Sequence, residues 1–110
     1  MSQVALDGEV EVEVCKLDEL PMEIGRAFEV GGRTIAVFRT RAGDVRAVDD
    51  RCPHKGAPLS DGMIAGNCVV CPYHAFKYDL ASGGCDQPAA PGVRTYPVRV
   101  DGEAVFVKVG

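Results

Sequence analysis

The chain has 110 residues, of which 46% are apolar, with a formal net charge of −4 and no tryptophan. A chain of this length can bury one modest core, so we predict a single domain over residues 1–110, and its acidic balance argues against nucleic-acid or anionic-membrane partners. The opening residues lack the pattern of a secretory signal and no apolar run is long enough to cross a bilayer, so a cytoplasmic location is expected.

Short segments of β character follow one another along the chain, separated by glycine-containing turns. In the first segment, Val10, Val12 and Val14 alternate with glutamates, which is the pattern of a strand with one buried face. Further strands are predicted at 27–30, 33–40, 45–48, 94–100 and 104–109. Hairpin turns are predicted at 31–32, 42–44 and 101–102. Since residues 17–22 would form one helical turn at most, we predict an all-β antiparallel sandwich or barrel.

The segment from residue 51 to residue 84 interrupts this pattern with two loops that both begin with Cys-Pro. The loop motifs are Cys52-Pro53-His54 and Cys71-Pro72-Tyr73-His74. The chain has only two histidines, and each follows one of these cysteines within three residues. Thiolate and imidazole groups are common metal ligands, and proline stiffens the loops that hold them. Each loop supplies one cysteine and one histidine, so we expect the two loops to bind one metal centre with four ligands. The predicted ligands are Cys52, His54, Cys71 and His74.

The identity of the metal is open at this point. Two cysteines and two histidines also suit structural zinc, and Cys68 forms a Cys-x-x-Cys pair with Cys71. Zinc sites usually place the cysteine pair before the histidine pair, whereas here each loop supplies one of each, which argues against zinc. Without an export signal, five cysteines are better interpreted as thiols or ligands than as a disulfide framework. Cys15 and Cys85 are interpreted as ordinary small residues. Cys68 is ambiguous: it precedes the second loop, no histidine stands in the matching relation to it, and it is not counted among the predicted ligands.

The two loop motifs resemble the ligand motif of Rieske [2Fe–2S] proteins, in which two cysteines hold one iron and two histidines hold the other. The resemblance extends over CPHKGAPLSDGMIAGNCVVCPYHAFKYDLASG, about a third of the chain. It implies an antiparallel Rieske-type β-sandwich, with a small cluster-binding subdomain formed by the two loops at approximately residues 50–84. It also implies one [2Fe–2S] cluster bound by Cys52, His54, Cys71 and His74.

Three positions differ from the Rieske proteins of respiratory cytochrome complexes. Those proteins carry an extra cysteine in each loop, joined as a disulfide, where this chain has Ala57 and Tyr73. They also place a serine two residues after the second histidine, where this chain has Phe76. The resemblance therefore implies no disulfide and a lower reduction potential than in that branch. Tyr78, however, matches a tyrosine that bonds a ligand cysteine there.

The flanking runs IAVFRT and VRTYPVRV resemble the small subunit of bacterial NAD(P)H-dependent nitrite reductase. This implies an electron-transfer subunit with no substrate-converting site of its own, working in nitrate assimilation with a large subunit that carries flavin and sirohaem. The alternative is a stand-alone Rieske ferredoxin, which passes electrons from a flavin reductase to the terminal oxygenase of an aromatic-ring-hydroxylating dioxygenase system. A third possibility is a zinc-stabilised interaction domain without a redox role.

Other residues around the loops have structural interpretations. Three aspartates are expected to form turns and caps, namely Asp49, Asp50 and Asp61. Three apolar residues are expected to pack beneath the first loop, namely Leu59, Met63 and Ile64.

Overall fold

The computed structural model describes residues 10–52, 57–72, 76–87 and 91–109, which form three antiparallel sheets. The strands are β1 (Val10–Lys16), β2 (Arg26–Val30), β3 (Arg33–Arg39), β4 (Val45–Asp49), β5 (Met63–Ala65), β6 (Cys68–Val70), β7 (Lys77–Asp79), β8 (Thr95–Tyr96), β9 (Val98–Asp101) and β10 (Ala104–Val109). Single 3-10 turns span Leu17–Glu19 and Leu59–Asp61. The all-β antiparallel prediction is confirmed. In the described part of the chain, no helix has the length and apolar character that crossing a bilayer requires.

The sheets have the strand orders β1-β10-β9, β2-β3-β4-β8 and β5-β6-β7. The second sheet lies between two separate cores because β3 is apolar on both faces: Ile35 and Val37 face one core, and Ala36 and Phe38 face the other. The inter-sheet core comprises Cys15, Leu20, Val30, Ile35, Val37, Ala47, Tyr96, Val105, Val107 and Val109. The loop core comprises Ala36, Phe38, Val48, Cys52, Ala57, Leu59, Val69, Cys71, Tyr78, Leu80 and Val93.

The predicted hairpin between β2 and β3 is confirmed. Gly31 and Gly32 have φ values of 58° and 82°, and Val30 pairs with Arg33 directly across the turn. A two-residue turn with positive φ at both positions matches the right-handed twist of the strands it joins, and glycine adopts it without a Cβ clash.

The predicted strand at 94–100 is wrong as a single element. It is divided at Pro97 into β8, which pairs with β4, and β9, which pairs with β10 in another sheet. Proline has no N–H to donate to a ladder, so the chain leaves one sheet there and enters the next. The Pro97 carbonyl accepts a hydrogen bond from the Lys108 N–H at 2.9 Å, which ties this crossing to β10.

Strand β1 contains a bulge that the alternating pattern does not reveal. Glu13 pairs with Phe106 and Cys15 pairs with Val105, so Val14 is an extra residue. Strict alternation would place Cys15 on the same face as Glu11 and Glu13. The bulge reverses the facing, and Cys15 is buried in the inter-sheet core.

The third sheet lies within residues 50–84 and follows the first loop. Gly62 precedes β5, and a Cβ on it would lie 2.2 Å from the Val70 carbonyl oxygen, so only glycine permits this approach. Leu59 is fully buried and Ile64 packs on the loop core, as expected. Met63 is 75% exposed, so its predicted packing is wrong. Because Ile64 faces the core, its neighbour on the strand must face away.

Candidate metal centre

The two Cys-Pro loops close with the same backbone hydrogen bond. The Cys52 N–H donates to the Ala57 carbonyl at 2.8 Å, and the Cys71 N–H donates to the Phe76 carbonyl at 2.8 Å. In sequence, His54 lies inside the first closure and His74 inside the second, and both histidines are outside the described residues. Each of the two loops therefore begins with a predicted cysteine ligand, and both loops are closed by the same type of hydrogen bond.

The two cysteines enter the same apolar environment from different parts of the chain. Cys52 and Cys71 are each 1% exposed, and both belong to the loop core. Burial of a thiolate without compensation is unfavourable, so a pair of buried thiols in one core suits coordination to a shared metal centre.

The first loop is fixed at its base by Asp50, which follows β4. The Asp50 carboxylate accepts hydrogen bonds from the Ser60 N–H at 2.6 Å and the Ser60 hydroxyl at 3.0 Å. The Asp50 N–H donates in turn to the Thr34 carbonyl of β3 at 3.0 Å. Asp50 thus joins the two ends of the loop to the central sheet, although the residue at the N-cap of the 3-10 turn is Pro58.

The second loop is the connection between β6 and β7. Val70 pairs with Lys77, so the ladder closes immediately outside Cys71 and Phe76. Phe76 is half-buried and packs on the loop core, which places an aromatic ring where the respiratory branch has a serine.

Tyr78 on β7 provides the polar contact to a predicted ligand. Its hydroxyl oxygen lies 3.4 Å from the Cys52 sulfur, and the side chain is fully buried. Burial, followed by the contact with Cys52, raises the pKa of Tyr78 well above its usual range, so the phenol keeps its proton. The contact implied by the Rieske resemblance is confirmed. Because a metal-bound thiolate can only accept, the Tyr78 hydroxyl would be the donor in a loaded site.

The other three cysteines occupy different environments, and no disulfide joins any of the five cysteines in the described part of the chain. Cys15 lies in the inter-sheet core, on the other side of β3 from the loop core. Cys68, which the sequence left ambiguous, alternates with Val69 on β6 and therefore points away from the core that Val69 enters and that holds Cys52 and Cys71. Cys85 packs on the loop core and pairs with Tyr78 in an isolated bridge. Sequence reasoning missed this contact.

Among the residues that the structure describes, no three His, Cys, Asp or Glu side chains come together. Asp49 is occupied by a hydrogen bond from the Tyr96 hydroxyl. The described donors that fit an iron–sulfur centre are therefore the two buried thiols and the phenol that contacts one of them.

Comparisons with known proteins agree with this arrangement. Residues 10–97 match the family of the Rieske [2Fe-2S] domain. The 4beta-methylsterol monooxygenase of Methylococcus capsulatus is 38% identical over 90 residues, covering 72% of this chain and 24% of that protein. The chain thus spans about a quarter of the length of that relative.

Two solved structures match most of both chains. The ferredoxin of carbazole 1,9a-dioxygenase from Nocardioides aromaticivorans has a TM-score of 0.82 and 32% identity, covering 89% of this chain and 96% of its own. A protein provisionally assigned as the NADH-dependent nitrite reductase small subunit of Mycobacterium tuberculosis has a TM-score of 0.86 and 28% identity, covering 93% of this chain and 96% of its own.

Proposed function

Because the chain belongs to the Rieske [2Fe–2S] domain family, whose cofactor is a Rieske-type [2Fe–2S] cluster, we propose that Cys52 and Cys71 hold one iron and His54 and His74 the other. The observation that carries this assignment is the pair of similarly closed loops that bury one cysteine each in a common core. The chain is a Rieske-type electron-transfer protein, and the family excludes the zinc alternative. We propose one domain over residues 1–110, with the cluster-binding part at approximately 50–84.

The residues of this chain control the surroundings of the cluster, which itself supplies a one-electron couple. Cys52 and Cys71 would keep their sulfurs away from water, since both side chains are almost fully buried. The Tyr78 hydroxyl would donate to the Cys52 sulfur and so stabilise the more negative, reduced state. With four ligands from the protein, the irons would have no open position for a substrate, so we propose no substrate-converting site.

The two aromatic residues at the end of the second loop differ in whether they can donate a hydrogen bond to the cluster. In a loaded site, Tyr78 would donate a hydrogen bond to the Cys52 sulfur, which would raise the potential. Phe76 has no hydroxyl with which to add a second bond of this kind. We expect a potential below that of the respiratory Rieske proteins. A redox titration that gave a value as positive as theirs would contradict this expectation.

We propose that this protein is the small subunit of an NAD(P)H-dependent nitrite reductase, in the cytoplasm, and that it works in nitrate assimilation with a large flavin- and sirohaem-containing subunit. The support is the fit to the Mycobacterium tuberculosis structure, with a TM-score of 0.86 over 93% of this chain. The resemblance of the flanking runs to nitrite reductase small subunits supports the same choice.

A stand-alone ferredoxin that serves a dioxygenase is the second candidate. It is supported by the 32% sequence identity to the carbazole 1,9a-dioxygenase ferredoxin, over 89% of this chain and 96% of that ferredoxin. In that case, the partners would be a flavin reductase and a terminal oxygenase.

Purification from the native host with a tag on this chain distinguishes the two candidates. A nitrite reductase subunit should bring with it a chain that shows sirohaem absorption, and adding the purified small subunit back to the depleted large chain should restore NAD(P)H-dependent nitrite reduction. A ferredoxin should purify alone and support turnover by a Rieske oxygenase with a flavin reductase. Isolation without sirohaem, together with turnover only in the second assay, would reject the nitrite reductase proposal.

A further inference from the structure

Three exposed arginines lie at one end of the central sheet, where the chain leaves it for the first Cys-Pro loop. They are Arg33 at the start of β3, Arg51 directly before that loop, and Arg94 directly before β8. Arg33 and Arg51 line one open cleft of about 340 Å³ together with Asp49. The Asp49 N–H donates to the Arg94 carbonyl at 2.9 Å, which places Arg94 beside the same cleft. We call these three residues the arginine patch.

The fold directs two members of the arginine patch to the same face of the central sheet. Arg33 alternates with the residues of β3, so it projects to the same face as Ile35 and as Asp49, which pairs with Ile35. The guanidinium carbon of Arg94 lies 5.0 Å from the centroid of the Tyr96 ring, and Tyr96 belongs to the inter-sheet core as Ile35 does. The patch therefore extends across neighbouring strands and is not a set of scattered surface charges.

The nearby carboxylates do not form ion pairs with the two arginines that line the cleft. The Asp50 carboxylate borders the cleft, but both of its oxygens accept hydrogen bonds from Ser60. Glu29 lies opposite the residue that follows Arg33 and therefore projects to the other face of the sheet. Within the described ranges, no carboxylate lies at ion-pair distance from Arg33 or Arg51. Positive charge is thus concentrated at this end of a chain whose net charge is −4.

We propose that the arginine patch is the surface on which this protein docks an electron-transfer partner, and that the partner presents aspartate or glutamate side chains to it. This rests on the proposed function, in which the cluster exchanges electrons with another protein. Arg51 immediately precedes Cys52, and their Cα atoms are about 3.8 Å apart across a trans peptide bond. A partner held at the patch would consequently lie next to the loop that begins with a proposed iron ligand.

The chemistry of the patch selects an acidic protein surface. A guanidinium presents its N–H groups in a planar fork that matches the two oxygens of a carboxylate. Because the chain as a whole is acidic, an acidic partner would be repelled elsewhere and attracted at this end, which orients the encounter.

The test is a titration of the cluster-loaded protein in whichever of the two turnover assays described above it supports. The partner is kept at one concentration, and the concentration of this chain is varied at low ionic strength. Arg33→Gln/Arg51→Gln should raise the half-saturating concentration about 2- to 30-fold, because two exposed ion pairs with the partner would be lost. The rate at saturation should not decrease. In 1 M salt, where the screening length is about 3 Å, this variant and the wild type should have the same half-saturating concentration.

Matched variants separate local charge from other effects. Arg26→Gln removes the same charge from an exposed arginine at the opposite end of β2, and it should leave the half-saturating concentration unchanged. Arg33→Lys/Arg51→Lys keeps the charge and should stay closer to the wild type than the glutamine variant does. Arg33→Gln alone, at a position that is not adjacent to a proposed ligand, should still give about a 1.4- to 5-fold rise. A redox titration of each variant shows whether its potential is that of the wild type.

The inference is overturned if the double glutamine variant saturates at the wild-type concentration, or if Arg26→Gln has an equal effect. A decrease in the half-saturating concentration would mean that the partner is basic at this contact, which also overturns it. If the loaded wild-type protein supported neither assay, the proposed partners would be rejected together with the docking surface. Normal turnover with an unaltered titration would reject only the docking surface, so the two failures are distinguishable.

Discussion

The two cores on either side of β3 have different chemistry, although they share a sheet. The inter-sheet core is formed by alternating apolar residues of paired strands, such as Ile35, Val37, Val105 and Val107. The loop core also contains the thiols of Cys52 and Cys71 and the hydroxyl of Tyr78. The first core stabilises the sandwich by burial of apolar area, whereas the second also places sulfur and a hydrogen-bond donor where a cluster would bind.

Each core contains one buried tyrosine, and the partner of its hydroxyl determines what that tyrosine does. Tyr96 donates to the carboxylate of Asp49, and the guanidinium of Arg94 lies 5.0 Å from its ring centroid. Tyr78 contacts the sulfur of Cys52. Tyr96 therefore links strands β8 and β4 in the inter-sheet core, whereas Tyr78 contacts a predicted iron ligand in the loop core. Substitutions in the two cores should consequently separate effects on stability from effects on redox properties.

The largest effect is expected from removal of a cysteine ligand. Cys52→Ser or Cys71→Ser should abolish the iron–sulfur absorption and the EPR signal of the dithionite-reduced protein, because we propose that each thiolate is an iron ligand. Far-ultraviolet circular dichroism should still report β-structure, since the inter-sheet core is intact. Cys68→Ser is the control and should keep the full spectrum. Retention of the normal spectrum in both ligand variants would contradict the ligand assignment.

Truncation in the inter-sheet core should affect stability and leave the cluster unchanged. Ile35 is fully buried there, so Ile35→Ala is expected to decrease the free energy of unfolding by about 2–5 kcal/mol. Chemical denaturation measures this loss, and a redox titration of the folded protein should give the wild-type potential. Met63→Ala, at a side chain that is 75% exposed, should change stability by less than about 0.5 kcal/mol. An equal loss in both variants would refute the described burial.

Removing one hydroxyl from each core makes a more precise comparison. Tyr78→Phe deletes the hydroxyl that would donate to the Cys52 sulfur in a loaded site. A bond worth about 0.5–1.5 kcal/mol corresponds to a potential lower by roughly 20–60 mV for one electron. Tyr96→Phe deletes the bond to Asp49 and should leave the potential unchanged. Voltammetry of the two variants provides the measurement. Equal shifts in both would show that the effect does not arise from the contact with sulfur.

The smallest effect concerns the acid dependence of stability. The Asp79 carboxylate at the end of β7 accepts the N–H groups of Ser82 at 2.9 Å and Ala81 at 2.8 Å. These bonds lower the pKa of Asp79. Since the folded pKa is below the unfolded value of about 3.9, the stabilisation is present above pH 4 and is lost as the pH falls through the folded pKa.

Replacement by a neutral side chain should remove this dependence. The protein should lose unfolding free energy as the pH falls from neutral to strongly acidic, and Asp79→Asn should make this loss smaller. The change should be less than about 1 kcal/mol, because solvent partly screens the Asp79 carboxylate. Urea titrations at several pH values measure the difference. Glu11→Gln, which breaks the exposed ion pair with Arg99, offers a comparison on the other side of the molecule. Its effect should disappear in high salt, whereas that of Asp79→Asn should persist.

Local patterns were sufficient to predict several parts of this protein. Valine–glutamate alternation predicted β1, and the Gly31-Gly32 pair predicted the turn that follows β2, because side-chain period and positive φ are properties of short segments. The Cys-x-His and Cys-x-x-His motifs predicted the family, which the match over residues 10–97 confirms. The ligand roles of His54 and His74 stay predictions, because both residues lie outside the described part of the chain.

The remaining features depend on which distant segments of the chain pack together, and the local sequence does not determine this. Pro97 marks a break, but only the assembled sheets decide that β8 and β9 enter different ones. The bulge at Val14 turns Cys15 inward because β1 must match β10, and Met63 is exposed because Ile64 faces the loop core. Likewise, the contact between Tyr78 and Cys85 arises from a bridge outside the regular strands. The chain's own motifs thus determined the type of cofactor, whereas tertiary packing selected the neighbours that surround its ligands.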